Sequence, residues 1–270
     1  MDLDIKAKRA IVGGASQGIG YAIARLLAAD GVQVAMVARR SEPLDQAVAR
    51  IHNETGTRTL AIPADIRKAS DCERIVDTAA EAFGGIDFLV NNDGAPPLGL
   101  IAEFDDVAWD KAVQQNLMSV VRLSRHAIPH MKAAGGGRIV NITALSAIQP
   151  IARFGLSVAT WAGVIGFAKT LSLEVAADNI TVNTICPGRI ATGRLAKVFG
   201  PDAGKGAPAA DAASDADAKL AADLAKQIPL GRVGQPDEIA GLVALLLSGY
   251  GGYITGSTMH VDGGRLAGLL

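Results

Sequence analysis

Cysteine is scarce in this chain. Only Cys72 and Cys186 occur in 270 residues, and they lie far apart. That excludes a disulfide framework and points to a reducing compartment. Charge of either sign is not in excess: the net charge of −1 leaves no electrostatic footprint for nucleic acid or an anionic membrane. No spacing of His, Cys, Asp and Glu forms a metal-ligand cluster. Tyrosine occurs only at Tyr21, Tyr250 and Tyr253, so few positions offer a phenol. No apolar run reaches membrane-spanning length, and Met1–Lys6 has no signal-peptide character. The expectation is a soluble, cytoplasmic protein with neither a nucleic-acid nor a membrane partner.

What is present organises itself around Gly13-Gly14-Ala15-Ser16-Gln17-Gly18-Ile19-Gly20. A short apolar run, Ala10-Ile11-Val12, precedes it and reads as a buried strand. Ile19 to Ala29 follows as a helix, with Ile19, Ala22, Ile23, Leu26 and Leu27 on one face. Strand, glycine turn and helix together present free backbone N–H groups and a positive helix end to a phosphate. The spacing is GxxxGxG, longer than the GxGxxG dinucleotide fingerprint. The glycines let the backbone turn sharply, approach a pyrophosphate and pack the helix close to the strand. A glycine-rich turn without ligand is the alternative.

Nearly half the residues are hydrophobic, enough to bury a full core, and the length suits one α/β domain over residues 1–270. Further strands are expected at Val32–Ala38, Arg58–Ile62, Ile86–Val90, Arg138–Ile142, Ile180–Ile185 and Thr258–Val261. Helices are expected at Pro43–Asn53, Ser70–Phe83 (Ser70 as N-cap), Asp106–Met131 (bent at Pro129), Gly155–Ala177 and Pro236–Leu247. This alternation predicts an α/β fold with a doubly wound, parallel, seven-stranded sheet, its ligand site at the carboxyl ends of the strands. Residues 200–217 are small, polar and glycine/proline-containing. They read as the centre of a mobile lid over about 194–227, or as an idle surface insertion.

The motifs together resemble the short-chain dehydrogenase/reductase family over almost the whole chain. The residues that carry the resemblance are the 13–20 loop, Asp65-Ile66, Asn91-Asn92-Asp93-Gly94, Asn116, Pro187-Gly188 with Thr192, Ile254-Thr255-Gly256 and Val261-Asp262-Gly263-Gly264. The resemblance implies a Rossmann-type sheet, a nicotinamide dinucleotide site and a homodimer or homotetramer. It assigns Gly14, Ser16, Gln17, Gly18, Ile19 and Gly20 to the pyrophosphate. Asp65 goes to the adenine amino group, Asn91 to the adenine ring and its ribose, Asp93 beside the nicotinamide ribose, and Ile190 and Thr192 to the carboxamide and pyrophosphate; Ile66, Gly94, Pro187 and Gly188 complete the implied cofactor site. Helix capping is the alternative for Asp65 and Thr192. The second strand ends in Ala38-Arg39-Arg40 with no acid to accept a ribose 2′-OH. Arg39 suits a 2′-phosphate instead, which favours NADP over NAD; a solvated arginine pair is the alternative.

The same resemblance implies a Ser, a Tyr and a Lys four residues after it. With Gly137–Ile142 and Ala162–Phe167 fixing the register, those positions hold Ala144, Ser157 and Trp161. Only the fourth member, Asn116, is kept. A phenol near neutral pKa, pulled down from about 10 by an ammonium, is what the chemistry uses. Ser157 is shorter and far less acidic, Ala144 has no donor, and Trp161 offers a neutral N–H where the nicotinamide ribose is implied. Asp93 stands where the family commonly has alanine; it suits ribose hydroxyls or a turn cap. The candidate catalytic residues are therefore Asn116 and Ser157, holding a water between them. The substrate class is a small carbonyl or alcohol, and a non-catalytic binding or partner subunit is the alternative function. Other groups read as structural: Thr143 and Ser146 as turn hydroxyls, Cys186 as a small core residue, His126 and His130 on the long helix, His52 in solvent, and His260 on the last strand. Arg153 and Arg189 could polarise an oxygen but are poor proton donors.

Overall fold

The structure, a computed structural model, describes residues 2–199 and 215–268. Strands β1 (Arg9–Gly13), β2 (Gln33–Ala38), β3 (Thr59–Pro63), β4 (Phe88–Asn91), β5 (Gly137–Ile142), β6 (Ile180–Pro187) and β7 (Thr258–Val261) form one sheet. Its order is β3-β2-β1-β4-β5-β6-β7 and every pairing is parallel. The doubly wound expectation holds. β1 pairs with β2 on one side and β4 on the other, with Val12 opposite both Met36 and Val90. The chain reverses its direction of travel there, which opens a crevice at the carboxyl ends of β1 and β4.

The strand alternation sorts the core into two layers. Ala10 and Val12 of β1 face α1 (Gly18–Ala29) and α9 (Pro236–Leu247). Ile11, between them, faces the opposite layer with Cys72, Ile75 and Ala79 of α3 (Ala69–Phe83). Helices α2 (Ser41–Thr55), α5 (Ser119–Ala133) and α6 (Gly155–Val175) complete the two faces. Cys72 Sγ donates to Ile66 O at 3.2 Å, and burial pushes its thiol up to about 11.

Ahead of β4, Asp87 is buried and gathers the end of β1. It accepts from Arg9 Nε (2.6 Å), Arg9 Nη2 (3.1 Å) and the Arg9 backbone N–H (3.0 Å), with Lys8 Nζ at 3.5 Å. Burial acts to raise the carboxyl's pKa, but these hydrogen bonds and charges outweigh it and hold it below its usual range.

Several local expectations are corrected. Ser70 caps nothing: α3 starts one residue earlier, after extended Lys68, with no side-chain cap. The long helix runs through Pro129 in α5. A π turn, Val113–Met118, divides it into α4 (Asp106–Ala112) and α5. The two ends of the lid-like segment read over about 194–227 are helical, as α7 (Gly193–Phe199) and α8 (Asp215–Ala225); the lid expectation for 200–214 lies outside the described residues. Helix Gly155–Asp178 is long and apolar enough to cross a membrane by length and composition alone, contrary to the sequence expectation. Its Leu156, Trp161, Val164, Ala168 and Leu171 are buried in this fold, the pattern of a core helix.

Candidate functional site

The crevice is built from three loops. The first leaves β1 through Gly14, whose φ of +58° is the left-handed region that glycine enters without cost. A side chain there would meet Asn92 Nδ2 at 2.6 Å, and that amide donates to Gly13 O at 3.0 Å. At Gly20 a side chain would strike the carbonyls of Gly13 and Gly14. The loop is therefore a close approach of backbone to backbone, which is what the sequence spacing demands. α1 then begins after extended Gln17 with no capping side chain and no acid in its first turn. Its leading N–H groups and positive dipole end are left for an anion. Ser16 and Gln17 sit on this loop, ahead of Ile19.

The second loop follows β4, and the third follows β6. A Cβ on Gly18 would touch Thr192 Cγ2 at 3.3 Å, so the first and third loops meet. Backbone bonds from Ala191 N to Gly234 O (2.8 Å) and Gly234 N to Arg189 O (2.9 Å) fix the third. Among the described residues the Thr192 Oγ1 contact is 3.5 Å to Ile190 O, and Thr192 directly precedes α7. Gly94 O accepts from Gln115 Nε2 at 2.6 Å.

Two connected spaces result. An inner one of about 440 Å³ is lined by Val37, Ile66, Asn91 and Asn116. An outer cleft of about 880 Å³ is lined by Ile19, Ala144, Pro187, Gly188, Ile190 and Thr192. Asp93, Thr143 and Trp161 line both. The structure thus brings together most of the residues named from sequence. Arg39 stands exposed at the end of β2, with no ion pair among the described residues. Asp65 is chelated by Arg67, whose Nε and Nη2 lie 2.8 and 2.6 Å from its oxygens. Chiefly through that side-chain bond, its carboxyl is held below the usual range.

The candidate catalytic pair is not assembled. Asn116 Nδ2 donates to Thr160 Oγ1 at 3.2 Å, and its Oδ1 is buried without a partner. Ser157 is 1% exposed and lines neither space. Ser157 and Asn116 therefore share no wall of either space. Trp161 instead forms the cleft wall, packed with Val120 and Val164.

Asp93 is the unusual group. Its Oδ2 is enclosed without a hydrogen-bond partner. Burial pushes its carboxyl well up, with the Arg194 charge and a backbone N–H opposing. Its carboxyl therefore titrates above the usual carboxylate range.

Sequence reasoning missed Asn92 as the brace of the glycine loop, and Arg67 as the partner of Asp65. It also missed Ser146, whose Oγ is buried, unpartnered and in the cleft wall, and Arg194 and Arg265, which line the same wall. Only the Asn91-Asn92 doublet carried a signal. The rest depend on which loops fold together.

Residues 14–265 match the sequence profile of a family described as Enoyl-(Acyl carrier protein) reductase. The chain is 34% identical to Dehydrogenase/reductase SDR family member 4 of Bos taurus, over 97% of this chain and 88% of that protein. It is 36% identical to 3-oxoacyl-(acyl-carrier-protein) reductase of Vibrio cholerae, over 97% and 98%. The fold superposes on L-sorbose reductase from Gluconobacter frateurii, a complex with NADPH and L-sorbose, with TM-score 0.92 and 34% identity, covering 100% of both chains. A short chain dehydrogenase from Burkholderia cenocepacia in complex with NADP gives TM-score 0.81 at 34% identity, covering 97% and 98%.

Proposed function

The chain belongs to the short-chain dehydrogenase/reductase family, and from that premise we propose that it is an oxidoreductase on a carbonyl or alcohol substrate, using NADP(H) in preference to NAD(H). The observation that carries this reading is the cradle at the head of α1: an uncapped helix end and a backbone approach that any side chain at Gly14 or Gly20 would fill. That cradle fits a pyrophosphate. When bound, the nicotinamide supplies hydride exchange with a carbonyl carbon. The chain's own residues do the rest. Ile66 and Asn91 wall the adenine side, with the Asp65 carboxylate kept ionised by Arg67. The Thr192 hydroxyl would donate to a phosphate or carboxamide oxygen. Trp161 and Leu145 exclude water from the wall of the outer cleft.

Arg39 selects the 2′-phosphate in this reading. Titration calorimetry is expected to give tighter binding of NADPH than NADH, and Arg39→Ala to weaken NADPH by about tenfold, the worth of one exposed charge-assisted contact. Equal affinities in both proteins would remove the preference.

The proposal includes loss of the family's Ser, Tyr and Lys, replaced here by Ala144, Ser157 and Trp161. The withdrawal of Ser157 from the cleft favours a second reading, a dinucleotide-binding partner subunit without turnover. Assembly is proposed through α6. Ala159, Ala162 and Gly166 are exposed on it and Leu173 is 72% exposed. Gly163 instead packs on Leu117 of the same chain. Light scattering is expected to give a dimer or tetramer at micromolar concentration; a monomer would refute it.

A further inference from the structure

The outer cleft carries three arginines from three separate elements: Arg189 after β6, Arg194 in α7 and Arg265 after β7. Asp93 is the sole acidic side chain among the described residues of that wall. None of the three arginines makes an ion pair with a described carboxylate. We infer that this wall receives the anionic group of the substrate, a carboxylate or phosphate monoester attached to the carbonyl compound that the proposed oxidoreductase activity would turn over.

Arg189 is the best-built member. It is 8% exposed, and its Nη1 and Nη2 donate to Leu224 O at 3.2 Å and Gln227 Oε1 at 2.9 Å. Its Cζ lies 4.9 Å over the Phe199 ring. Nε is buried with no partner, an orphaned donor on a guanidinium whose plane is already fixed. Burial and then the Arg265 charge lower its pKa, and the two cations line one cleft. Among the described residues Arg194 has a single contact, 3.5 Å to Ala95 O, and the Asp93 carboxyl beside it, raised by burial, is a weaker countercharge than an ordinary carboxylate. Arg189 is the desolvated member, and a buried cation opposes folding unless something neutralises it; a bound anion would do so with charge-assisted bonds. Phe154 and Phe199, stacked with centroids 6.3 Å apart, give the substrate's apolar body a surface. A purely structural role, with Arg189 tethering α8, explains its two bonds but neither the empty Nε nor the convergence of Arg194 and Arg265.

The test is titration calorimetry of the full chain with matched probes, with and without NADPH. One pair is dihydroxyacetone phosphate against dihydroxyacetone. The other is 4-oxopentanoate against its methyl ester. The anionic member of at least one pair is expected to bind about tenfold more tightly, and Arg265→Gln to remove most of that difference while NADPH affinity stays unchanged. The pair that discriminates identifies phosphate or carboxylate. Arg265 is partly exposed, so its substitution spares the core, and Arg194→Gln is a second variant with the same expected loss. Equal affinity for both members of both pairs would overturn the inference, as would a preference unchanged in both variants. Displacement of NADPH by the probe would also overturn it, because the anion site would then be the cofactor's. Anion binding without NADPH binding would leave the inference standing and defeat the oxidoreductase reading instead.

Discussion

The combined substitution Ala144→Ser, Ser157→Tyr and Trp161→Lys is expected to raise NADPH-dependent reduction of small ketones by about 10²–10⁴-fold, the usual worth of general-acid help. Among the described residues the two spaces are lined by no tyrosine and no lysine, and Ala144 has no side-chain donor to orient a carbonyl. Each substitution alone is expected to do little, since such groups act as a unit. Ser157→Tyr by itself would also overpack a site that is 1% exposed, at about 1–3 kcal/mol. Trp161→Lys, one helical turn along α6, vacates the indole volume that the new ring needs. The measurement is NADPH oxidation over a panel of carbonyl compounds. A triple variant that folds and binds NADPH yet gains no rate would show that the three positions are not where the chemistry was lost. Strong turnover by the natural chain, abolished by Asp93→Asn, would show that the protonated carboxyl already does the phenol's work.

Asp87→Ala is expected to cost about 3–5 kcal/mol, the range for stripping one partner from a buried ion pair. That is a large share of the roughly 5–15 kcal/mol by which a domain is stable. The carboxylate is 6% exposed at its side chain against 22% for Arg9, and it also accepts the Arg9 backbone N–H at the first residue of β1. Because its pKa is lower folded than unfolded, its contribution is fully present above the ordinary carboxylate value and is lost as the pH falls through the folded value. Urea unfolding of the natural chain and the variant should therefore converge in acid and diverge toward neutrality. The double change Arg9→Met with Asp87→Leu is expected to recover most of the loss. A variant whose deficit stayed constant from acid to neutral pH would place the cost in packing instead of charge.

The sheet was legible because its strands are short apolar runs between turn signals, and parallel burial makes such runs unmistakable: Val34–Val37 is buried throughout. The glycine loop was legible for a similar reason, since Gly14 and Gly20 sit where no other residue fits. Less legible was anything decided by one side chain choosing between neighbours. Ser70 has the chemistry of a cap, but Asp71 reaches the Asp65 backbone N–H at 2.8 Å and the helix starts before it. Pro129 lacks an N–H, yet the packed turns around it keep α5 continuous. The π turn leaves no mark in Val113–Met118 that periodicity can detect. Asn116 could be named from its motif, but its partner, Thr160, belongs to a helix 44 residues later. The arginine wall was invisible because it joins the ends of β6 and β7 with α7, and only the fold brings these together.

The two thiols have a practical corollary. Cys72 and Cys186 are the only cysteines, and both are completely buried. Burial pushes both thiols up, with the Thr143 hydroxyl at 3.2 Å from Cys186 Sγ only partly opposing it. Electrophiles such as maleimides attack thiolates that solvent can reach, so the folded natural chain offers them no target. A sulfhydryl installed at an exposed position, such as Leu230 at 67%, would be the sole labelled atom. Leu230 donates its N–H to Gly263 O at 3.1 Å, two residues before Arg265. A fluorophore there would report occupancy of the arginine wall without any change to the native cysteines.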